Sequence, residues 1–599
     1  MKNFTFTLIL AIISLATSFA QPTLKWASKF NGPIANDEGK AIALDANGNV
    51  YVAGSSDNTS GTSDFLTLKY NTAGSLLWSQ RYNGLANGQD SVRAIRVDAL
   101  GNVYITGKSQ GSGTNINIVT VKYDSTGVQK WASVYNGIAG SNGGYNLEVD
   151  VFGNVYVVGS SNPYDVLIKY NGLGVLQWSK NLVNSFNNQN EIYFAISPFD
   201  GHLIVADGGS LTSQYTVWRV HPSTGNIVNY FNTGLNGGPV IYGIPNSMVL
   251  DGNGNMYVTS MSDPDLNTDK PSRIYTAKFT QGSDSYAWYQ STAITGNVQT
   301  ITCVDMKIDN NANLYVLAKW FTGSDYIFYT KMLTSTGTKV WATPSTSSEG
   351  IYGTPVSLSL GQLNTPPDIF ETGFTSTGNI KIIKYANNGD TLWTKIYDCG
   401  NNGVDIASKM AIDACDNIYI TGSSNCSGTF KDVKTIKYST FGPPTITANG
   451  NLLTSSFAVG NQWFRDGIPE AGETNQTYTM HHPGNYMVSA TKNGCLSEPS
   501  LLFHSNIVST SYVNNDTHFE IYPNPSTGSF IVELFLPEAK IVEQRVLNVL
   551  GQVVWVAVPE MGAGKLRRQI DLGTAAMSGI YFLETRLDGR AFLRKIEVR

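Results

Sequence analysis

Histidine, the side chain best suited to general acid–base work near neutral pH, is scarce in this chain. Of six histidines in 599 residues only His202 and His221 fall among the first 440, so a histidine-centred catalytic set has little to be built from. The glycines form neither a phosphate-cradling G-x-x-x-x-G-K-[ST] loop nor a dinucleotide fingerprint. Five cysteines, Cys303, Cys399, Cys415, Cys426 and Cys495, show no zinc-ligand spacing and are too few for a disulfide-dense scaffold. Cys399, Cys415 and Cys426 lie close enough for one pair to bridge in an oxidising compartment; the alternative is that they stay separate and reduced. His481 and His482 are adjacent on a strand pattern, so they point to opposite faces and are read as surface. No catalytic residue, no metal site and no cofactor is expected.

Aspartate recurs in D-x-x-G-N turns such as Asp45 to Asn49, where Asp45, Asn47 and Asn49 offer oxygens at alternate positions. Calcium needs several carboxylates among its oxygens and this turn supplies one, so it is read as a hairpin. Two acids meeting at the mouth of a ring would leave no local signature, which keeps a glycosidase pair open. Lysine recurs before an aromatic residue at Lys69, Lys122, Lys169, Lys384 and Lys437, with Lys278 before Phe279 and Arg219 in a diverged copy. A basic ring for an acidic glycan is one reading; the favoured one lays each stem over a sheet and pairs its ammonium with a turn aspartate. Trp78, Trp131, Trp178, Trp288, Trp341 and Trp393 hold one position per unit, which points to packing between units. The non-repeating Trp320, Tyr326 and Tyr329 are the better ligand-binding candidates, because a site is where a repeat departs from its own pattern.

These residues are positioned by a repeat of roughly 50 residues. One unit runs DANGNVYVAGSS from Asp45 and DFLTLKYNTAGSLLWSQRYNG from Asp64; copies follow at Asp98 and Asp150, weaker ones at Ser197, Asp251 and Asp309, then Asn379 and Asp413. Within a unit, apolar and polar residues alternate in four short stretches broken by Gly, Asn and Asp, which predicts four antiparallel strands and a propeller blade. The last unit ends near Thr440 without the strand that carries tryptophan elsewhere, while Leu24 to Gly32 matches Leu76 to Gly84. An N-terminal strand that completes the last blade would close the ring and hide two sheet edges. The expected fold is all-β: an eight-bladed propeller, seven blades being the alternative, followed by two small β-sandwich domains.

Composition agrees with this. Glycine (59) and tyrosine (31) are plentiful and charged residues make up only 14%, the profile of short strands and tight turns. The net charge of −5 with no basic block argues against nucleic acid as a partner. Met1-Lys2, an apolar run from Leu8 to Leu15 and the small residues before Gln21 read as a signal peptide over 1–20; no later segment is apolar for long enough to be a transmembrane helix.

The D-x-x-G-N-h-Y-h-x-G halves resemble the SBBP-type β-propeller repeats of bacterial surface proteins, over most of residues 21–440. Second halves such as Tyr123 to Trp131 resemble the tryptophan-docking motif of quinoprotein-like propellers, without the adjacent cysteines typical of those dehydrogenases. Gln462 to Thr479 and Gly484 to Cys495 resemble the small immunoglobulin-like modules that precede sorting tails, which places a module at 441–504 and a linker at 505–517. Ile521 to Leu534, Val546 to Val554 and Ser578 to Arg599 resemble the type A C-terminal sorting domain of the type IX secretion system, over 518–599. That resemblance implies Pro523, Asn524, Pro525, Gly528, Gly579, Tyr581, Gly589 and Lys595 as the sorting signature, the type IX machinery as a partner, and a destination at the cell surface or outside the cell. The expected function is non-catalytic binding or adhesion to an unknown extracellular glycan or protein. The alternatives are a carbohydrate-active hydrolase or lyase with its site in the propeller mouth, and a structural surface-layer component.

Overall fold

The D-x-x-G-N turns set the fold in motion. In the computed structural model the amide of Gly48 donates to the carbonyl of Asp45 at 3.0 Å, and Gly48 has φ +76°, a conformation a Cβ would resist. The turn joins two strands, Asp37–Leu44 and Val50–Asp57, and the hairpin continues through Ser63–Tyr70 and Leu76–Tyr82 to give a four-stranded antiparallel sheet in sequence order. The structure describes residues 21–599 except 33–35, 112–114, 138–141, 162–163, 183–191, 208–215, 233–244, 263–272, 284, 294–299, 322–325, 345–352, 401–402, 427–429, 506–517, 550, 574–577 and 588–589. The expected signal peptide and most of the expected linker lie outside the described residues.

Among the described residues seven more four-stranded sheets follow, with first strands Asp90–Val97, Asn142–Val149, Ile192–Ile196, Pro245–Leu250, Thr300–Ile308, Gly353–Leu360 and Asp405–Ile412. We number the eight sheets as blades in chain order. The first strand of each blade contacts the first strand of the next, and Asp405–Ile412 contacts Asp37–Leu44, so the circuit returns to its start. In blade eight the fourth strand is Thr23–Phe30, antiparallel to Asp432–Ser439 with Phe30 opposite Val433. Its pairing leaves no unpaired edge at the seam of the ring.

The core lies between blades. Tyr51, Ala53 and Phe65 of blade one pack on Val92, Ile95, Val103, Val119 and Tyr123 of blade two, and comparable clusters fill the later junctions. A second regularity lies on the innermost strands. Seven of the eight carry a one-residue bulge after the third or a nearby position, between Gly39 and Ala41, Val92 and Ala94, Gly144 and Asn146, Pro245 and Ser247, Cys303 and Asp305, Pro355 and Ser357, and Ala407 and Lys409. A bulge leaves one residue unpaired and re-aims its side chain.

By contact the described residues fall into two compact units, one drawn from 1–447, 454–478 and 487–502, the other from 448–453, 479–486 and 503–599. In the second unit the strand Ser529–Asn548 pairs first with His518–Tyr522 and Glu560–Asp571, then with Gly579–Leu587, which in turn pairs with Arg590–Val598. Its alternate residues Phe530, Val532, Leu534 and Leu536 meet Ile570, Leu583 and Ile596 in one apolar core.

Candidate functional site

The repeated acids are spent on the fold. Asp45 accepts from the amides of Asn47 and Asn49 at 2.9 Å on one oxygen, and from the Asn49 amide group and the Tyr51 hydroxyl at 2.8 and 2.9 Å on the other. Asp98, Asp150, Asp251, Asp309 and Asp413 repeat the arrangement with Tyr104, Tyr156, Tyr257, Tyr315 and Tyr419. Burial raises the Asp45 pKa, but the bonds from Asn49, Tyr51 and Asn47 outweigh it and hold the carboxyl below its usual range. These are turn locks, with both oxygens committed. A second set, Asp37, Asp90 and Asp405, opens the innermost strands and takes the loop amides of Gly32, Gly84 and Cys399. Burial pushes all three pKa values up.

The repeated lysines are also committed, though not mainly to the aspartates expected. The ammonium of Lys69 lies 5.0 Å from the ring centre of Tyr51 and donates to the Ser125 carbonyl of the next blade at 2.9 Å. Lys122, Lys169, Lys278 and Lys437 sit likewise over Tyr104, Tyr156, Tyr257 and Tyr419. Because each tyrosine hydroxyl holds the turn aspartate, the ring faces are what remain for the cations. Lys384, over Phe370, does pair with an aspartate, Asp368 at 2.8 Å.

The repeated tryptophans lie between blades. Trp78 donates to the Ser125 carbonyl at 3.2 Å, and a Cβ on Gly127 would come within 2.8 Å of its indole. The expected ligand aromatics are mixed. Tyr329 is buried and Trp320 packs beside it in an edge-on contact, in one cluster with Ile274 and Ile301. Only Tyr326 is exposed, under the Lys319 ammonium at 5.6 Å.

The bulged innermost strands bring charge to the axis of the ring, which local sequence did not reveal. Lys40, Arg93 and Tyr145 are the bulge residues of blades one to three. Further along the same strands Arg96 meets Glu148 at 2.7 Å and Asn146 at 3.3 Å. From blade six, Asp305 takes Lys307 at 2.5 Å and, across blade seven, Lys409 of blade eight at 3.8 Å. Burial opposes the Asp305 charge, yet Lys307 and Lys409 hold its pKa below the usual range. The cysteines form two bridges, Cys399–Cys426 within blade eight's surroundings and Cys415–Cys495, which ties the D-x-x-G-N-like turn of blade eight to residues 487–502. The second was not foreseen, since its partners are separated by 80 residues. Cys399, Asp405 and Cys426 converge, but the bridge uses both sulfurs, so the group does not fit a metal ion.

Seven of the eight signature residues of the tail lie among the described residues, and they join its first turn to its last strand. Asn524 donates to the Lys595 carbonyl at 2.9 Å and accepts from the Glu597 amide at 2.8 Å. Pro523 and Pro525 flank it, exposed; Gly528 takes φ +98°; Gly579 pairs with Val598 and the buried Tyr581 with Ile596. Gly589 lies outside the described residues.

Residues 520–599 match the family described as secretion system C-terminal sorting domain, and residues 25–61 and 77–113 match the β-propeller repeat family. No curated protein matches the chain. Among solved structures it is similar to an ulvan lyase of a new polysaccharide lyase family bound to a GlcA(1-4)Rha3S oligosaccharide, with 11% identity and TM-score 0.35 over 64% of this chain and 97% of that one. It is also similar to PorZ, a surface component of the type IX secretion system of Porphyromonas gingivalis, with 11% identity and TM-score 0.25 over 95% and 75%. A third is Drosophila plexin A in complex with semaphorin 1b, with 8% identity and TM-score 0.35 over 70% and 88%. Among the described residues no helix is long and apolar enough to cross a membrane. The chain is thus a protein exported to the cell surface or beyond, in which SBBP-type propeller repeats are joined to a type IX secretion C-terminal sorting domain.

Proposed function

We propose that the propeller is a non-catalytic recognition domain for an extracellular glycan or protein, that residues 441–504 act as a spacer, and that the tail serves export. One observation carries this reading. The turn aspartates, the strand-opening aspartates and the axial Glu148 and Asp305 are each held by backbone amides, hydroxyls or cations, so general acid and base roles fall to groups already engaged. Among the axial cations Arg96, Lys307 and Lys409 are paired with those acids, whereas Arg93 is exposed with no such partner among the described residues and is left to meet a ligand.

The test is a glycan array run in parallel with hydrolysis and elimination assays on the mature chain. Binding without turnover is the expected result. Turnover that a single carboxylate-to-amide change such as Asp305→Asn abolishes would replace this reading with the enzyme. For the tail, a chain ending at Ser505 is expected to stay in the periplasm of a host with this secretion system, and its appearance at the surface would refute the export role.

A further inference from the structure

The charges on the axis are unevenly balanced. Arg96, Lys307 and Lys409 share Glu148 and Asp305. One turn of pairing nearer the strand starts, Lys40 has Glu38 at 3.9 Å as its acidic neighbour and donates to the Ser91 hydroxyl at 3.0 Å. Arg93, exposed beside it, has no hydrogen bond or ion pair among the described residues. Lys108 comes from the second strand of blade two, where it lies opposite Ser91. Its stem crosses Gly143 of blade three so closely that a Cβ there would be 2.6 Å from Lys108 Cε, and its ammonium reaches 5.8 Å from the Tyr145 ring centre. Burial, together with repulsion from Arg93, lowers the pKa of Lys108; for Lys40 burial and Arg93 outweigh the opposing pull of Glu38.

The placement is built rather than incidental. Lys40 and Arg93 occupy the bulges, the positions whose side chains are re-aimed, whereas the bulge residues of blades six to eight are Val304, Val356 and Ser408. Gly143 supplies the space through which Lys108 arrives. We propose that Lys40, Arg93 and Lys108 form a subsite for an oxyanion, a sulfate, phosphate or carboxylate borne by the ligand that enters the axis at blades one to three. This rests on the reading of the propeller as a recognition domain. An oxyanion there would replace repulsion among three cations with charge-assisted hydrogen bonds, Arg93 offering a planar fork.

The mature chain is titrated by calorimetry with inorganic sulfate, inorganic phosphate and galacturonate, whose relative affinities distinguish the three sources of the anion. Arg93→Gln and Lys108→Gln are each expected to weaken the best of these at least tenfold. Gly143→Ala should do the same by displacing the Lys108 stem. Lys130→Gln, an exposed change of equal charge on the outer strand of blade two, should leave binding unaltered. Arg93→Gln should also leave the melting temperature unchanged, because no structural partner is lost. Equal binding by wild type, Arg93→Gln and Lys108→Gln, an equal loss in Lys130→Gln, or no binding of any of the three anions would overturn the subsite. In those cases a neutral glycan or protein captured equally by wild type and variants would leave the recognition reading standing, whereas turnover of an anionic glycan would defeat that reading instead.

Discussion

Two neighbouring junctions of the ring are built differently. Where blade three meets blade four, Trp178 lies opposite Lys169 in register, donates to the Pro222 carbonyl at 3.2 Å and covers Gly225, whose missing Cβ would lie 2.7 Å from the indole. Where blade four meets blade five, Asn229 takes the tryptophan's register position opposite Arg219. The facing turn closes from Ser283 to Thr280, so serine stands where the docked turns carry glycine. Polar contacts replace the indole there: Asp200 pairs with Arg219 and accepts from Gln281 of blade five at 3.2 Å. The difference shows that tryptophan and glycine are one device, since the ring occupies the volume a side chain would need. They are absent together.

The comparison can be broken most forcefully at the indole. Trp178→Ala is expected to cost about 3 kcal/mol, by cavity formation and a lost hydrogen bond, while Asn229→Ala should stay within about 0.5 kcal/mol. Urea denaturation of both would decide, and similar losses would show the two junctions to be equivalent.

Junctions also differ in buried charge, and pH sharpens that contrast. Glu371 of blade seven sits at the core position held by Val52 and Ile105, with the Thr330 hydroxyl on its carboxyl. Lys331 of blade six sits where blades one and two place Leu68 and Val121, and donates to Gln290 and Thr292 at 2.9 and 3.0 Å. Burial pushes Glu371 up to about 7 and Lys331 down to about 7. The unfolded chain releases the Glu371 proton first, so its contribution to stability falls as pH rises from the ordinary carboxyl range to about 7. Lys331 acts oppositely: stability rises with pH from about 7 toward the ordinary lysine range, where the unfolded chain binds the extra proton. Glu371→Gln should therefore gain on wild type by about 3 kcal/mol between pH 5 and pH 8. Melting curves at the two values that moved in parallel would contradict it.

The smallest expected effect is at the turns. Gly225→Ala places a Cβ against the indole at φ +69° and should cost about 2 kcal/mol; Gly282→Ala, at φ +75° with open space around it, should cost about 1 kcal/mol. Thermal shift of the pair measures the gap, and its absence would mean that backbone strain alone matters.

The strands, the hairpin turns and the closing segment were legible in sequence because each follows a local pattern that the repeats share. Asp45, Gly48 and Tyr51 recur at fixed spacing, and period-two alternation fixes which side of a strand each takes. The axial group was not legible for the opposite reason. A bulge breaks period two at Lys40 and Arg93, and Lys409 meets Asp305 only because the ring brings blades six and eight to a common axis. Glu371 and Lys331 could have been found by aligning the repeats, since each replaces an apolar residue within an otherwise apolar column. Trp320 and Tyr329 departed from the repeat too, yet they pack on Ile274 and Ile301. Departure from a repeat therefore marks specialised packing as readily as a binding surface.

Thr23–Phe30 has a consequence in time as well as space. It pairs with Asp432–Ser439, and Trp26 on the same strand donates to the Thr72 carbonyl of blade one at 3.0 Å. A chain that emerges with its N-terminus first carries this strand unpaired while some four hundred residues follow, and blade one meanwhile lacks the indole that seals it. Ring closure is thus a late event of high contact order, and it reports completion: the clasp can shut only when the last repeat has arrived. A chain interrupted anywhere before residue 439 would keep both an open sheet edge and an undocked glycine turn, the features that mark unfinished β-structure for capture or degradation.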